Sequence, residues 1–153
     1  MTKPLRLGIA GLGTVGVGVI KIIQNKLSLL EARTGKQILI SAVTAKSKTK
    51  DRGIDLSPYQ WERDPASLAN REDIDVFIEL IGGHEGAAKE AVEIAISKGK
   101  NVVTANKALL AHHGHELALK AEENGSILRF EATVAGGIPV IKSLTEGLAG
   151  NSI

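Results

Sequence analysis

Short apolar runs alternate along this chain with longer stretches of helical period. Residues 5–10, Leu-Arg-Leu-Gly-Ile-Ala, predict a first strand. Residues 14–31 follow with Val15, Val19, Ile22, Ile23 and Leu27 at helical spacing, and Gly35 supplies a stop signal. Residues 37–44 predict a second strand. Residues 45–64 are polar, with Lys46, Lys48, Lys50, Arg52 and Gly53, and read as a long loop. Asp64-Pro65 looks like the cap and first turn of a short helix near 65–70. A third strand, 75–81, closes on Gly82-Gly83, and an alanine-rich helix covers 85–98. A fourth strand at 101–104, a helix over about 107–124 stopped by Gly125, and a fifth strand at 127–131 complete the pattern.

Strands that alternate with helices imply a parallel sheet with right-handed crossovers. The expected fold is a single α/β domain of Rossmann type, with a doubly wound, mostly parallel sheet. Such sheets bind ligands outside the C-terminal ends of their strands. Five junctions therefore matter: 10–16, 44–48, 81–84, 104–107 and 131–138.

The first junction reads Gly11-Leu12-Gly13-Thr14-Val15-Gly16, directly after a strand and directly before a helix. That order is what a dinucleotide site requires. Gly11 permits the tight turn, Gly13 lets backbone approach a pyrophosphate, and Gly16 allows close helix packing. The pyrophosphate would lie over free N–H groups at the helix start, where the helix dipole favours negative charge.

Composition narrows the chemistry. The 153 residues are one ordinary domain. Aromatics make up only 3% against 43% hydrophobic residues, so Ala, Val, Ile and Leu must build the core. A net charge of +2 and no basic block interleaved with aromatics argue against nucleic acid. The chain has no cysteine, which excludes disulfides, thiolate nucleophiles and thiolate metal sites. No apolar stretch approaches a membrane span, and no secretory signal is visible, so a cytoplasmic location is expected.

The second junction bears on cofactor choice. An NAD site usually ends its second strand with an acid that binds the ribose 2′-hydroxyl. Thr44-Ala45-Lys46-Ser47-Lys48 offers two ammonium groups and hydroxyls instead. A 2′-phosphate needs such partners. NADP is favoured, with Lys46 its main partner, Lys48 a lesser one, and NAD the alternative.

Four of the junctions together resemble the homoserine dehydrogenase family. They are Gly-Leu-Gly-Thr-Val-Gly from Gly11, Glu79-Leu80-Ile81-Gly82-Gly83, Asn101-Val102-Val103-Thr104-Ala105-Asn106-Lys107, and Glu131-Ala132-Thr133-Val134-Ala135-Gly136-Gly137-Ile138-Pro139. The resemblance runs from about residue 5 to the end of the chain. It implies reduction of L-aspartate 4-semialdehyde to L-homoserine with NAD(P)H, on the route to threonine, isoleucine and methionine. It implies cofactor contacts at Gly11, Gly13, Thr14, Val15, Gly16, Lys46, Ile81, Gly82, Thr104 and Lys107. Where the family often carries aspartate after the position of Lys46, this chain has Ser47, which further favours NADP. Lys107 would sit near nicotinamide and substrate and support the developing alkoxide electrostatically. Glu131, Val134, Gly136 and Ile138 match a loop that binds a monovalent cation, usually sodium, mainly through carbonyls.

The same resemblance divides the chain. Residues 1–138 would be the NAD(P)-binding domain and 139–153 the truncated start of a substrate and dimerisation domain. The main proton donor would then lie beyond residue 153, and the piece alone would bind cofactor without turnover. A homo-oligomer is expected for the full-length enzyme. Met1-Thr2-Lys3-Pro4, immediately before the first strand, argues against an upstream fusion. Two other readings remain open: another amino-acid or semialdehyde dehydrogenase, and a non-catalytic NADP(H)-sensing module. The lack of cysteine argues against thiol-dependent semialdehyde dehydrogenases.

Other residues invite a role and are given a plainer one. His112, His113 and His115 lack a completing ligand set and read as solvated surface histidines. Trp61 and Tyr59 read as packing residues over the loop. Glu79 lies inside an apolar strand and needs a partner that the sequence does not name.

Overall fold

Side-chain alternation along the strands separates two apolar cores, one on each face of a sheet. The computed structural model describes residues 3–135 and 138–147. Its strands are β1 (Leu5–Ala10), β2 (Ile38–Thr44), β3 (Gln60–Trp61), β4 (Val76–Glu79), β5 (Asn101–Thr104) and β6 (Leu128–Arg129). Its main helices are α1 (Thr14–Thr34), α2 (Pro65–Asn70), α3 (Ala87–Ser97) and α4 (Lys107–Glu123). The sheet order is β3-β2-β1-β4-β5-β6, and every pairing is parallel. The fold is the expected Rossmann-type one, with the winding reversed between β1 and β4.

Leu7, Ile9, Val43, Val76 and Ile78 point to one face, where Ile20, Val19 and Ile23 of α1 meet them. Ala10, Ala42, Phe77 and Val102 point to the other, against α2, α3 and α4. Small residues set the spacing there. Gly8 of β1 leaves the space that Ile74 and Leu68 fill; a Cβ would stand 2.8 Å from Ile74 Cδ1. Ala88, Ala91 and Ala95 are the buried stripe of α3, with Val92 and Ile96 beside them. Phe77 is the one aromatic fully buried among the described residues.

Local signals act as the sequence predicts at several ends. Asp64 caps α2 by accepting the Ser67 N–H at 2.6 Å, with Pro65 in the first turn. Gly35 ends α1 in the left-handed conformation, φ 66°. The helix runs on past residue 31 to Thr34, with one non-helical residue at Lys26.

Two expectations need correction. The loop expected over 45–64 contains the edge strand β3, whose Gln60 and Trp61 pair with Ala42 and Val43. The last strand holds only Leu128 and Arg129, because Glu131–Thr133 form a 3-10 turn. Thr133 makes that turn by donating both its N–H and its hydroxyl to the Phe130 carbonyl.

At the N-terminal end of the sheet, Arg6 of β1 forks onto Asp75, just before β4. Its Nη2 lies 2.7 Å from Oδ1 and its Nε 3.0 Å from Oδ2, and Lys3 adds a contact at 3.2 Å. The Arg6 side chain, helped by its own backbone N–H and by Lys3, holds the Asp75 carboxyl well below the usual range. A carboxyl depressed in the folded state contributes stability above its unfolded pKa and loses it as pH falls. Asp75→Asn is therefore expected to cost on the order of 1 kcal/mol near neutral pH, discounted for partial exposure. Urea unfolding should show the gap between parent and variant closing below about pH 4. A gap that persists unchanged in acid would remove the charge from the explanation.

Candidate functional site

The reversal between β1 and β4 opens a crevice at the C-terminal ends of those strands. The glycine loop lines it. Gly11 leaves β1 with φ 101°, a region closed to most L side chains. A Cβ there would overlap the carbonyl of Leu80, the residue after β4. A Cβ at Gly16 would overlap the carbonyl oxygen of Gly11. Gly13 differs, because a Cβ there would meet nothing within 4 Å. Helix α1 then opens without a side-chain cap and without an acid in its first turn. Its first N–H groups are left to an outside acceptor. Thr14 and Val15 are exposed on that turn.

From this loop a cleft of about 450 Å³ extends toward β2. Lys46, Ser47, Lys50, Arg52 and Arg63 stand on its walls. Its single acid, Asp64, caps α2 and lies 2.8 Å from Arg63. Lys46 is exposed and has no hydrogen-bond or ion-pair partner among the described residues. Lys48, expected as a second cation, is absent from the lining; Lys50 and Arg63 take that place. The buried Thr44 donates its hydroxyl to the Glu62 carbonyl at 2.9 Å, which ties β2 to the edge strand.

Sequence reasoning passed over Arg52. Its guanidinium donates to three carbonyls: Leu12 inside the glycine loop at 3.2 Å, Lys50 at 2.7 Å, and Ser47 at 2.5 Å. It also lies 5.7 Å from the centre of the Trp61 ring. Arg52 thus fastens the basic loop to the glycine loop. The only sequence signal for it was the alternation of cations from Lys46 to Arg52.

A smaller pocket of about 160 Å³ continues the crevice on the other side of Leu80 and Ile81. Val15, Gly82, Ala105 and Asn106 complete its lining. Beneath it, Glu79 is fully buried and accepts from Ile81 N–H at 2.7 Å, Gly82 N–H at 3.1 Å and the Thr104 hydroxyl at 2.6 Å. Thr104, expected beside the cofactor, is itself buried, and its oxygen accepts the Asn106 N–H at 2.9 Å. Asn106 caps α4 through Leu109 N–H and donates to the Gly83 carbonyl at 2.6 Å. Lys107 begins α4, exposed, with no partner among the described residues.

The expected cation loop is described in part. Gly136 lies outside the described residues, as do 148–153. Val134 and Ile138 are exposed. Glu131 Oε2 accepts the Lys142 N–H at 3.0 Å, whereas Oε1 is buried with no hydrogen-bond partner. Ala135, farther along the same loop, has φ 54°, a strained value for a residue with a Cβ.

The histidines are only partly solvated. His112 stacks on His84 with ring centres 4.2 Å apart, and His113 lies 2.7 Å from Glu85. Both contacts tie the 82–86 turn to α4; His112 and His115 are exposed as expected, and His113 is half-buried. Among the described residues no three or more His, Cys, Asp or Glu side chains are grouped so as to hold a metal ion. No helix there is long and apolar enough to cross a membrane.

Comparison with known proteins agrees with this geometry. The family described as "Homoserine dehydrogenase, NAD binding domain" matches residues 11–131. The homoserine dehydrogenase of Neisseria gonorrhoeae is 48% identical over 99% of this chain, which covers 34% of that protein. That of Bacillus subtilis is 44% identical over 99% of this chain and 35% of its own length. The crystal structure of a homoserine dehydrogenase from Thiobacillus denitrificans superposes with a TM-score of 0.89 at 39% identity, over 97% of this chain and 34% of that one. The chain thus spans about a third of the length of the relatives it matches. It belongs to the homoserine dehydrogenase family and comprises that family's NAD-binding domain.

Proposed function

We propose that this chain is the NADP(H)-binding part of an enzyme that interconverts L-homoserine and L-aspartate 4-semialdehyde. The observation that carries the cofactor choice is the cleft beside β2. It presents Lys46, Lys50, Arg52 and Arg63 and no carboxylate free of a partner. The uncapped start of α1 and the open space at Gly13 suit a pyrophosphate. Lys46 and Ser47 would hold the 2′-phosphate, while Arg52 holds their loop in place. Thr14, Val15, Ile81 and Gly82 would line the rest of the dinucleotide path. A nicotinamide bound there would supply or accept the hydride. Lys107, next to Asn106 on the smaller pocket, would place positive charge near the substrate oxygen. The smaller pocket has no titratable side chain on its walls. We infer that a proton donor and the groups that hold the amino acid come from residues outside those described. Residues 139–153 would begin that substrate and dimerisation region. Homo-oligomerisation and a cytoplasmic location belong to the same reading.

Glu131 suits a monovalent cation, because its buried Oε1 has no protein partner. With Val134, Gly136 and Ile138 it would hold sodium, which would brace the loop electrostatically.

Calorimetric titration checks the cofactor choice. Lys46→Ala should weaken NADP by about 1–3 kcal/mol and leave NAD nearly unchanged. Equal losses for both cofactors would refute selection by Lys46.

Turnover is checked by NADPH absorbance with homoserine and NADP. A polypeptide of these residues should bind NADP(H) yet run slower than a full-length relative by at least about 10²–10⁴, the typical contribution of a positioned proton donor. Rates within about tenfold of each other would place the missing groups inside this chain.

The cation is checked by thermal unfolding in sodium and in a large organic cation at equal ionic strength. Sodium should raise the midpoint of the parent and not that of Glu131→Gln. An identical sodium response in both would exclude Glu131 as a ligand.

A further inference from the structure

Glu79 is a fully buried carboxylate to which cofactor binding and hydride transfer assign no part. We propose that Glu79, acting with Thr104, is a positioning residue for the nicotinamide end of the cleft. The inference rests on the cofactor reading above and deepens it.

A buried Glu without partners is strongly disfavoured, so its partners show what it is for. All of them lie at the C-terminal edge of the sheet. Oε1 takes two N–H groups from the turn that leaves β4, those of Ile81 and Gly82. Oε2 takes the hydroxyl of Thr104 at the end of β5. Thr104 has one proton to give and gives it to Glu79, so its oxygen is left to accept the Asn106 N–H. Asn106 then uses both ends of its amide: Oδ1 caps α4 and Nδ2 reaches the Gly83 carbonyl. The hydrogen bonds close a ring that runs from Glu79 through the 81–83 turn, Asn106 and Thr104 back to Glu79. Ile81, Gly82 and Asn106 of that ring line the smaller pocket, and Lys107 is the next residue along.

The ring has two consequences for a ligand. It fixes successive left-handed glycines, Gly82 at φ 86° and Gly83 at φ 84°, in one turn. It also points the N–H groups of Ile81 and Gly82 inward. What remains for a ligand is lined mainly by the apolar side chains of Val15, Leu80, Ile81 and Ala105, which suits a flat ring. The carboxylate orders the turn without facing the pocket.

Glu79→Gln and Thr104→Val test this in the full chain. Gln keeps the volume but offers an amide N–H where the Thr104 hydroxyl donated. Val removes the hydroxyl and keeps the shape. Two ligands are titrated: NADP(H), and 2′-phospho-ADP-ribose, which lacks only the nicotinamide. NADP(H) binding should weaken about tenfold in both variants, and 2′-phospho-ADP-ribose by less than about twofold. Thr104→Ser restores a hydroxyl and should recover most of the loss. If Glu79→Gln does not fold, the Thr104 pair carries the test. Unchanged NADP(H) binding would overturn the proposal. Equal weakening of both ligands would also overturn it, because general support of the fold does not tell the two apart. A parent chain that binds neither ligand would overturn the cofactor reading itself, and this inference with it.

Discussion

Two absent Cβ atoms, at Gly11 and Gly16, govern where the rest of the cleft can lie. Gly16 brings the first turn of α1 against the carbonyl of Gly11, and Gly11 brings the end of β1 against the backbone of Leu80. Any side chain at either position would force these segments apart. Each glycine costs roughly 0.5–1 kcal/mol in chain entropy relative to alanine, so the close approach must return at least that much. What it gains is placement. The helix start is held over the gap between β1 and β4, where its open N–H groups face the crevice. The same approach sets Leu12, whose carbonyl receives Arg52, and Leu80, which borders both pockets. Gly13 makes no such contact; the packing of the fold does not require a glycine there, and the space beside it is open.

The sequence carried those features that depend on neighbours in the chain. Apolar period located the three long helices and the longer strands, and the glycine triplet located the turn. Asp64-Pro65 and Gly35 act as helix ends because capping is a local interaction. The features it did not carry depend on distant partners. Gln60–Trp61 is too short to show a period and is a strand only because β2 offers it an edge. Arg52 meets Leu12 across forty positions of sequence, so its loop reads as a solvated charge run until the fold closes it. Thr104 and Glu79 explain each other, yet a lone Glu in one strand and a lone Thr in another give no sign of being paired. The end of the last strand was misplaced because Thr133, beyond it, draws the chain into a turn.

Charge is distributed unevenly over the fold. Away from the cleft, several cations are matched with acids: Arg6 and Lys3 with Asp75, Arg71 with Glu62 and Asp73, Lys120 with Glu93 and Glu116. Around the cleft, Lys46, Lys50 and Arg52 have no acidic partner among the described residues. A net charge of +2 therefore understates the potential there. The concentration of unmatched cations in a concave site is the arrangement expected for an anionic ligand. It also explains why whole-chain charge gave no sign of an anion site.

The two ends of the crevice are built with different stiffness. The end beside β2 is walled by exposed loop residues, and its order depends largely on one guanidinium fork from Arg52 to three carbonyls. The end beside β5 stands on a hydrogen-bonded ring around the buried Glu79, Thr104 and Asn106, in which each bond fixes the direction of the next. Buried, satisfied networks are rigid because any rearrangement leaves a polar group unpaired in a dry setting. An adaptable phosphate grip and a fixed ring platform suit the two halves of one dinucleotide. Affinity can be gathered at the charged end through flexible side chains. In the proposed reaction a hydride transfer would need the ring held in one geometry, and that requirement would fall on the end where Glu79 is buried.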